Sequence, residues 1–331
     1  MKIKPGNCKL KKFFLQWEWM LILIFLIINI VNASISEYYL NLSALVGITQ
    51  SFLDKAFIVL PMTFVLLLGE IDISPASTVA LSSVIMAVSY NYLGVPMGVA
   101  VLICLGVGLL CGMFNGLVLV RFPELPPMIV TLATQLLYRG IALLILEDQA
   151  CGGFPDWFLE LGWGEIAGIP LVLLLFVLCA VIFTLLLHKT NFGRYVYAIG
   201  SNRTASQFSG VKVGLVRFTV YALVGVMAAV AALVLTSRMD STRPNVATGY
   251  ELDVIAMVVL GGVSSLGGKG RMGGPLIAIF IIGFLRYGLG LINLQSEVIL
   301  IVIGCLLAIS VLIPNLHTRR NKKPSHTEGS R

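Results

Sequence analysis

The chain has 331 residues, of which 58% are hydrophobic and 12% charged, with a mean hydropathy of +0.95. That composition cannot be hidden in one soluble core, so the sequence reads as an all-α, polytopic membrane protein. The net charge of +7 is not a nucleic-acid signature, because the basic residues gather at the two ends and in short loops between apolar runs, where they act as a topology signal.

Lys2, Lys4, Lys9, Lys11 and Lys12 precede the first apolar run. VNASIS at residues 31–36 approaches a signal-peptide cleavage site, but more spans follow, so 20–31 is read as the core of an uncleaved first helix. With the basic amino terminus in the cytoplasm, SEYYLN (36–41) lies outside. The run 56–69 is short on its own, and extending it back through Ala44 takes the charged pair Asp54 and Lys55 into the span. Runs at 76–92 and on to Val120 then lead to Arg121 and the prolines Pro123, Pro126 and Pro127, on the cytoplasmic side. The span 128–146 opens into an acidic segment with Glu147, Asp148, Asp156, Glu160 and Glu165 and no Lys or Arg, placed outside.

The run 169–187 returns to a polar island, TNFGRYVYAIGSNRTASQFSGVKV (190–213), whose surroundings carry Lys189, Arg194, Arg203, Lys212 and Arg217. The island is therefore cytoplasmic, and it is helix-compatible from Asn202 to Ser209. After the span 215–236, the loop 237–253 is placed outside despite Arg238 and Arg243. A span from Asp253 to Leu260 enters the glycine-rich GGVSSLGGKGRMGG (261–274), which puts Lys269 and Arg271 inside. Spans 275–291 and 298–313 follow, and then a basic polar tail. The expectation is about ten transmembrane helices with both termini cytoplasmic. The divisions are a basic amino terminus at 1–19, a membrane domain at 20–313 with a coupling loop at 189–214, and a tail at 314–331.

Few residues suggest chemistry. The six cysteines (Cys8, Cys104, Cys111, Cys151, Cys179, Cys305) form no CxxC and no metal-spaced cluster with histidine, and read as small apolar filler. GGKGR fails as a phosphate-binding loop: the first required glycine falls on Val263, and Gly270 follows Lys269 where a hydroxyl should ligand magnesium. Its glycines read as a tight surface turn. His188 sits at a span end and His317 and His326 in the tail, and no nucleophile, paired-carboxylate or metal motif marks an enzyme.

Two polar intrusions remain. GEIDIS (69–74) puts Glu70, Asp72 and Ser74 before Pro75, as either a surface turn or a helix broken beside a solute path. Arg139 lies midway along an apolar run and requires a partner, for which Glu70 and Asp72 are candidates; it otherwise reads as a lock between helices.

Four blocks in order resemble the permease subunits of bacterial ATP-binding-cassette importers of monosaccharides, the ribose type. GEIDIS is similar to that family's GGIDLS, and PMIVTLATQLLYRGIAL to its FIVTLG...RG segment. NFGRYVYAIGSNRTASQFSGVKV is similar to FGR..YAIG.N..AA..SGI.V, and ATGYELDVIAMVVLGGVSSLGGKGRMGGPLIA to TGYELDAIAAVVLGG.S..GGKG...G; together they cover roughly 62–291.

The resemblance implies a helical permease working as a pair, a second copy or a paralogue. It is driven by cytoplasmic ATPase subunits and loaded by an extracytoplasmic sugar-binding protein. This chain then binds no cofactor, and ATP is used by the partner. It also implies that the island contacts the ATPase, through Gly193, Arg194, Gly200, Asn202, Ala205, Ser209 and Gly210. The family usually reads GGIDLSVGS, and here Glu70 and Pro75 depart from it, which leaves ribose, rhamnose, other monosaccharides and the autoinducer-2 signal open as solutes. The rival reading is a self-sufficient secondary transporter with Glu70, Asp72 and Arg139 as its ion-coupling site.

Overall fold

The computed structural model describes residues 17–35, 39, 41–292, 294, 298, 301–302 and 304–305, and it is organised around one central helix. Helix α2 (Leu42–Leu67) is apolar around most of its surface apart from a short polar stretch at 49–55, and such a helix is stable only when surrounded by protein or lipid. Here it is surrounded by protein: 94% of its apolar window is buried. Around it stand α7 (Leu171–Lys189), α10 (Val213–Met239), α11 (Tyr250–Leu260) and α12 (Gly273–Leu291). Helix α1 (Trp17–Ile35) lies outside α12 and leaves Leu23, Leu26, Ile27 and Ile30 exposed, as a helix facing lipid would.

Chain reversal after α2 leads to α3 (Pro75–Asn91), buried along most of its length, and then to α4 (Met97–Arg121) and α5 (Pro127–Leu146). The closest helix pair is α4 with α10. Gly108, Gly112 and Gly116 repeat every fourth residue on α4 and meet Gly225, Ala229 and Phe218 of α10. A Cβ at Gly112 would run into the Tyr221 carbonyl and the Gly225 backbone. Small residues at this spacing let two backbones touch, which is how helices associate where lipid removes the hydrophobic drive between them.

Between α5 and α7 the acidic segment forms a short helix, α6 (Asp156–Trp163), and two small pairings. Strand β1 (Cys151–Gly152) pairs antiparallel with β4 (Ser241–Thr242), Cys151 opposite Thr242. Strands β2 (Glu165–Ile166) and β3 (Ile169–Pro170) form a hairpin whose central residues, Ala167 and Gly168, both have positive φ, as a tight two-residue turn demands. The island is two helices, α8 (Asn191–Ser201) and α9 (Arg203–Phe208).

Seven of these helices are long and apolar enough to cross a membrane: α1, α2, α4, α5, α7, α10 and α12. The expected span 76–92 is the 17-residue α3, and that at 253–260 is the 11-residue α11, too short to cross alone. The expected span 298–313 lies almost wholly outside the described residues, as do residues 1–16 of the basic amino terminus and the tail.

Candidate coupling and translocation site

GEIDIS is a helix break enclosed by protein. Gly69 takes φ +78° just past the end of α2, its N–H bonding to Leu66 O and that of Glu70 to Val65 O, so the last carbonyls of the helix are satisfied. Asp72 then prepares the next helix. Its Oδ1 accepts the Ser74 N–H at 2.9 Å and the Ser74 hydroxyl at 2.7 Å, with Pro75 as the first helical residue of α3. Asp72 Oδ2 is buried without a hydrogen-bond partner. Asn115 of α4 donates to Ser74 Oγ at 2.8 Å, and the Tyr138 hydroxyl reaches Asn115 Oδ1 and the Cys111 carbonyl at 3.0 Å each. From α5, Thr131 Oγ1 accepts the Ile73 N–H at 3.3 Å.

Glu70 points to α10. Its Oε1 lies 2.6 Å from Arg217 Nε in an ion pair, and its Oε2 accepts the Tyr221 hydroxyl at 3.0 Å. Arg217 is 1% exposed; its Nη1 donates to the Leu119 carbonyl at 2.7 Å and its Nη2 has no partner. The expected pairing of Arg139 with Glu70 or Asp72 is not formed. Thr131 is the α5 residue level with the break, and Arg139 is eight residues further on, about 12 Å along the axis at 1.5 Å per residue. Arg139 Nη1 donates instead to the carbonyls of Pro244 and Val246, at 2.5 and 2.8 Å.

The island sits against this break. Thr190 caps α8, its hydroxyl accepting the Gly193 N–H at 3.3 Å, and Asn202 caps α9 through the Ala205 N–H at 2.9 Å. Val196 and Ile199 are buried, and Phe192 packs on Phe64 of α2 at 6.1 Å between ring centroids. Gly200 has no room for a Cβ, which would overlap Leu67 O and Gly268 N, themselves hydrogen-bonded at 2.8 Å. Gly267, at φ +85°, abuts Gly69 and Gly200. Tyr197 donates to Gly270 O at 2.8 Å. The glycine-rich stretch thus serves as the wedge between island and break.

The residues named for the island therefore divide. Gly193 and Gly200 face the protein interior, Gly193 where α8 turns back on Leu187. Arg194, Asn202, Ala205, Ser209 and Gly210 are exposed, as are Tyr195 and Phe208, and Arg194 is held by Asn191 Oδ1. Arg203 is exposed, and partial desolvation, then repulsion by Arg217, lowers its pKa from the ordinary value, with Glu70 opposing.

A second set of charges went unassigned in the sequence. Asp54 binds Arg238 at 2.9 Å and the Tyr250 hydroxyl at 2.8 Å. Asp253 binds Lys55 at 2.6 Å and Arg286 at 2.9 Å. These contacts tie α2 to α10, α11 and α12. The adjacent Asp54–Lys55 pair inside an apolar helix was the available signal, since buried charge demands partners. A crevice of about 640 Å³ between α3, α4, α5 and α10 is lined by Leu81, Cys111, Phe114, Tyr138 and Phe218, and is too apolar for a hydroxyl-rich solute. Among the described residues, no group of three or more His, Cys, Asp or Glu is placed to hold a metal.

Comparison with known proteins agrees with this architecture. Residues 44–311 match the family described as the branched-chain amino acid transport system / permease component. The ribose import permease protein RbsC of Bacillus subtilis (strain 168) is 40% identical over 297 residues, covering 88% of this chain and 90% of that one. The autoinducer 2 import system permease protein LsrD of Enterobacter sp. (strain 638) is 32% identical, covering 92% and 95%, and that of Photorhabdus temperata 31%, covering 92% and 93%. No solved structure matches. A multi-pass helical chain matched by the family over more than half its length, and by import permeases along nearly all of it, belongs to that family of permease components.

Proposed function

We propose that this permease serves an ATP-driven importer of a monosaccharide or sugar-like solute of the ribose, rhamnose or autoinducer-2 class. Relatives named for ribose and autoinducer 2 support the solute class. The chain crosses the membrane about ten times with both termini cytoplasmic, α3, the short α11 with the irregular segment before it, and the expected span 298–313 adding to the seven longer helices. It works with a second copy or a paralogue, and a soluble protein delivers the solute from outside. ATP is bound by a separate cytoplasmic subunit that docks on the exposed face of α8 and α9, at Arg194, Asn202, Ala205, Ser209 and Gly210.

One observation carries the reading: Gly200 on the island is in backbone contact with Leu67 and Gly268 at the helix break. A push on α8 then moves the end of α2 and the Glu70–Arg217 pair with it, without passing through flexible side chains. Glu70, Asp72 and Ser74 belong to the moving element beside the path, while Arg139 acts as a clamp on residues 244–246. The ion-coupled alternative loses its proposed site, because Arg139 is remote from both acids.

Gly200→Val tests the coupling. In proteoliposomes with the partner ATPase, the variant that is recovered folded is expected to bind the ATPase, while solute-stimulated hydrolysis and uptake per folded transporter fall together. Uptake at the wild-type rate would show that the junction transmits nothing. Uptake by the unaltered chain that survives without any ATPase and collapses with an uncoupler would overturn the importer reading itself.

A further inference from the structure

Residues 243–249, between β4 and α11, are not helical, and Ala247 and Gly249 both have positive φ. Their neighbours set their depth. Arg139, which holds the carbonyls of Pro244 and Val246, and Gln135, which donates to Glu251 Oε1 at 3.4 Å, stand twelve and eight residues past Pro127. That is about 18 and 12 Å along α5, near the middle of a hydrocarbon layer about 30 Å thick. Tyr250 agrees, since it bonds Asp54, thirteen residues up α2 from Leu67. Irregular backbone at this depth is tolerated where protein buries it or where it lines water.

Protein does not bury all of it. Arg243, Asn245 and Thr248 are exposed and Gln135, Arg139 and Glu251 half-buried, beside exposed leucines such as Leu136, Leu137 and Leu252. Glu251 Oε2 is buried without a hydrogen-bond partner among the described residues, whereas the neighbouring Asp253 is paired with both Lys55 and Arg286. A guanidinium, an amide and a hydroxyl facing acyl chains at mid-depth are unfavourable, so this patch faces water or a ligand.

We propose that Gln135, Asn245, Thr248 and Glu251 form the solute-contacting site of the translocation path, and that the site takes an uncharged, hydroxyl-rich solute. The inference rests on the importer reading for its direction of transport. The chemistry follows from the groups available. The exposed Asn245 amide and Thr248 hydroxyl, with the half-buried Gln135 amide, donate to and accept from solute hydroxyls, and Glu251 stands behind them as the partner of Gln135. Glu251 in the first turn of α11 offsets the positive end of that helix and lies on the same patch as Arg139 and Arg243. Arg139 is a positioning residue: it holds the irregular segment through two carbonyls.

The test is thiol accessibility in the assembled complex, in vesicles of known orientation. Thr248→Cys, Glu251→Cys and, as a lipid-facing control, Leu178→Cys on α7 are placed in a chain whose native cysteines are replaced. Each is exposed to a membrane-impermeant, sulfonate-bearing methanethiosulfonate. Thr248→Cys and Glu251→Cys are expected to react several-fold faster than Leu178→Cys. D-ribose or L-rhamnose should slow that reaction and L-leucine should not. Reaction no faster than at Leu178→Cys overturns the proposal, because lipid or a second chain then covers the patch; protection by L-leucine alone, or by neither sugar, overturns the assignment of solute class. Accessibility does not depend on the energy source, so failure here is distinct from failure of the importer reading, which shows as uptake independent of the ATPase.

Discussion

Glu70→Gln removes the one negative charge facing Arg217 while keeping the side chain's shape and its ability to accept from Tyr221. Arg217 is 1% exposed, and beyond the ion pair its guanidinium makes one hydrogen bond among the described residues, to the Leu119 carbonyl. Breaking a buried pair by neutralising one partner costs about 3–5 kcal/mol, chiefly because the other charge stays buried. At roughly 2 °C per kcal/mol for a chain of this size, the melting temperature should fall by about 6–10 °C. Cys104 and Cys111 on α4 are buried, so unfolding in detergent can be followed by a fluorophore that lights up on reaction with thiols. The double variant Glu70→Met with Arg217→Met removes both charges and should recover much of the loss, short of roughly 1 kcal/mol for each of the two hydrogen bonds it deletes, Arg217 to the Leu119 carbonyl and Tyr221 to Glu70. A single variant melting within about 2 °C of the parent, or a double variant no better than the sum of its singles, would refute a coupled buried pair.

Two further outcomes follow from the packing. Gly112→Val should lower the yield of folded protein and its melting temperature, since the backbone of α10 leaves no space there, with a cost of at least about 1–3 kcal/mol. Gly106→Val on the same helix has nothing within 4 Å of the new Cβ and should behave as the parent; equal effects at the two sites would deny the glycine contact with α10. Asp253→Asn strands Lys55 and the partly exposed Arg286 without their shared anion, and should lower the melting temperature more than Arg286→Gln, whose side chain is 36% exposed. The reverse order would place the stabilising contact elsewhere.

Much of the architecture is a linear property of the chain. Apolar runs long enough to cross a bilayer, Lys and Arg between them and a single generous polar island are visible without any contact being known, because lipid imposes its demand on each helix separately. The failed nucleotide loop could also be read from spacing alone. Helix lengths were less legible: α11 stops at 11 residues because its amino-terminal neighbour is held non-helical by Arg139, a residue more than a hundred positions away. Helix α8 was missed because polar residues on its exposed face mask the buried Phe192, Val196 and Ile199.

By itself the sequence determined the class of protein, the membrane as its solvent and the polar segments that have to be explained. Hydrophobicity and charge are summed along the chain, and they need no partner to act. Only the tertiary structure decided which charge answers which. Glu70 could be matched with any cation in the chain, and geometry gave it Arg217 of α10 rather than Arg139 of α5, because a difference of eight residues on one helix is about 12 Å, far beyond the reach of an ion pair. The same holds for the glycines. Their number was plain from the sequence, but that Gly200, Gly267 and Gly69 converge on one junction depends on three separate segments approaching backbone to backbone.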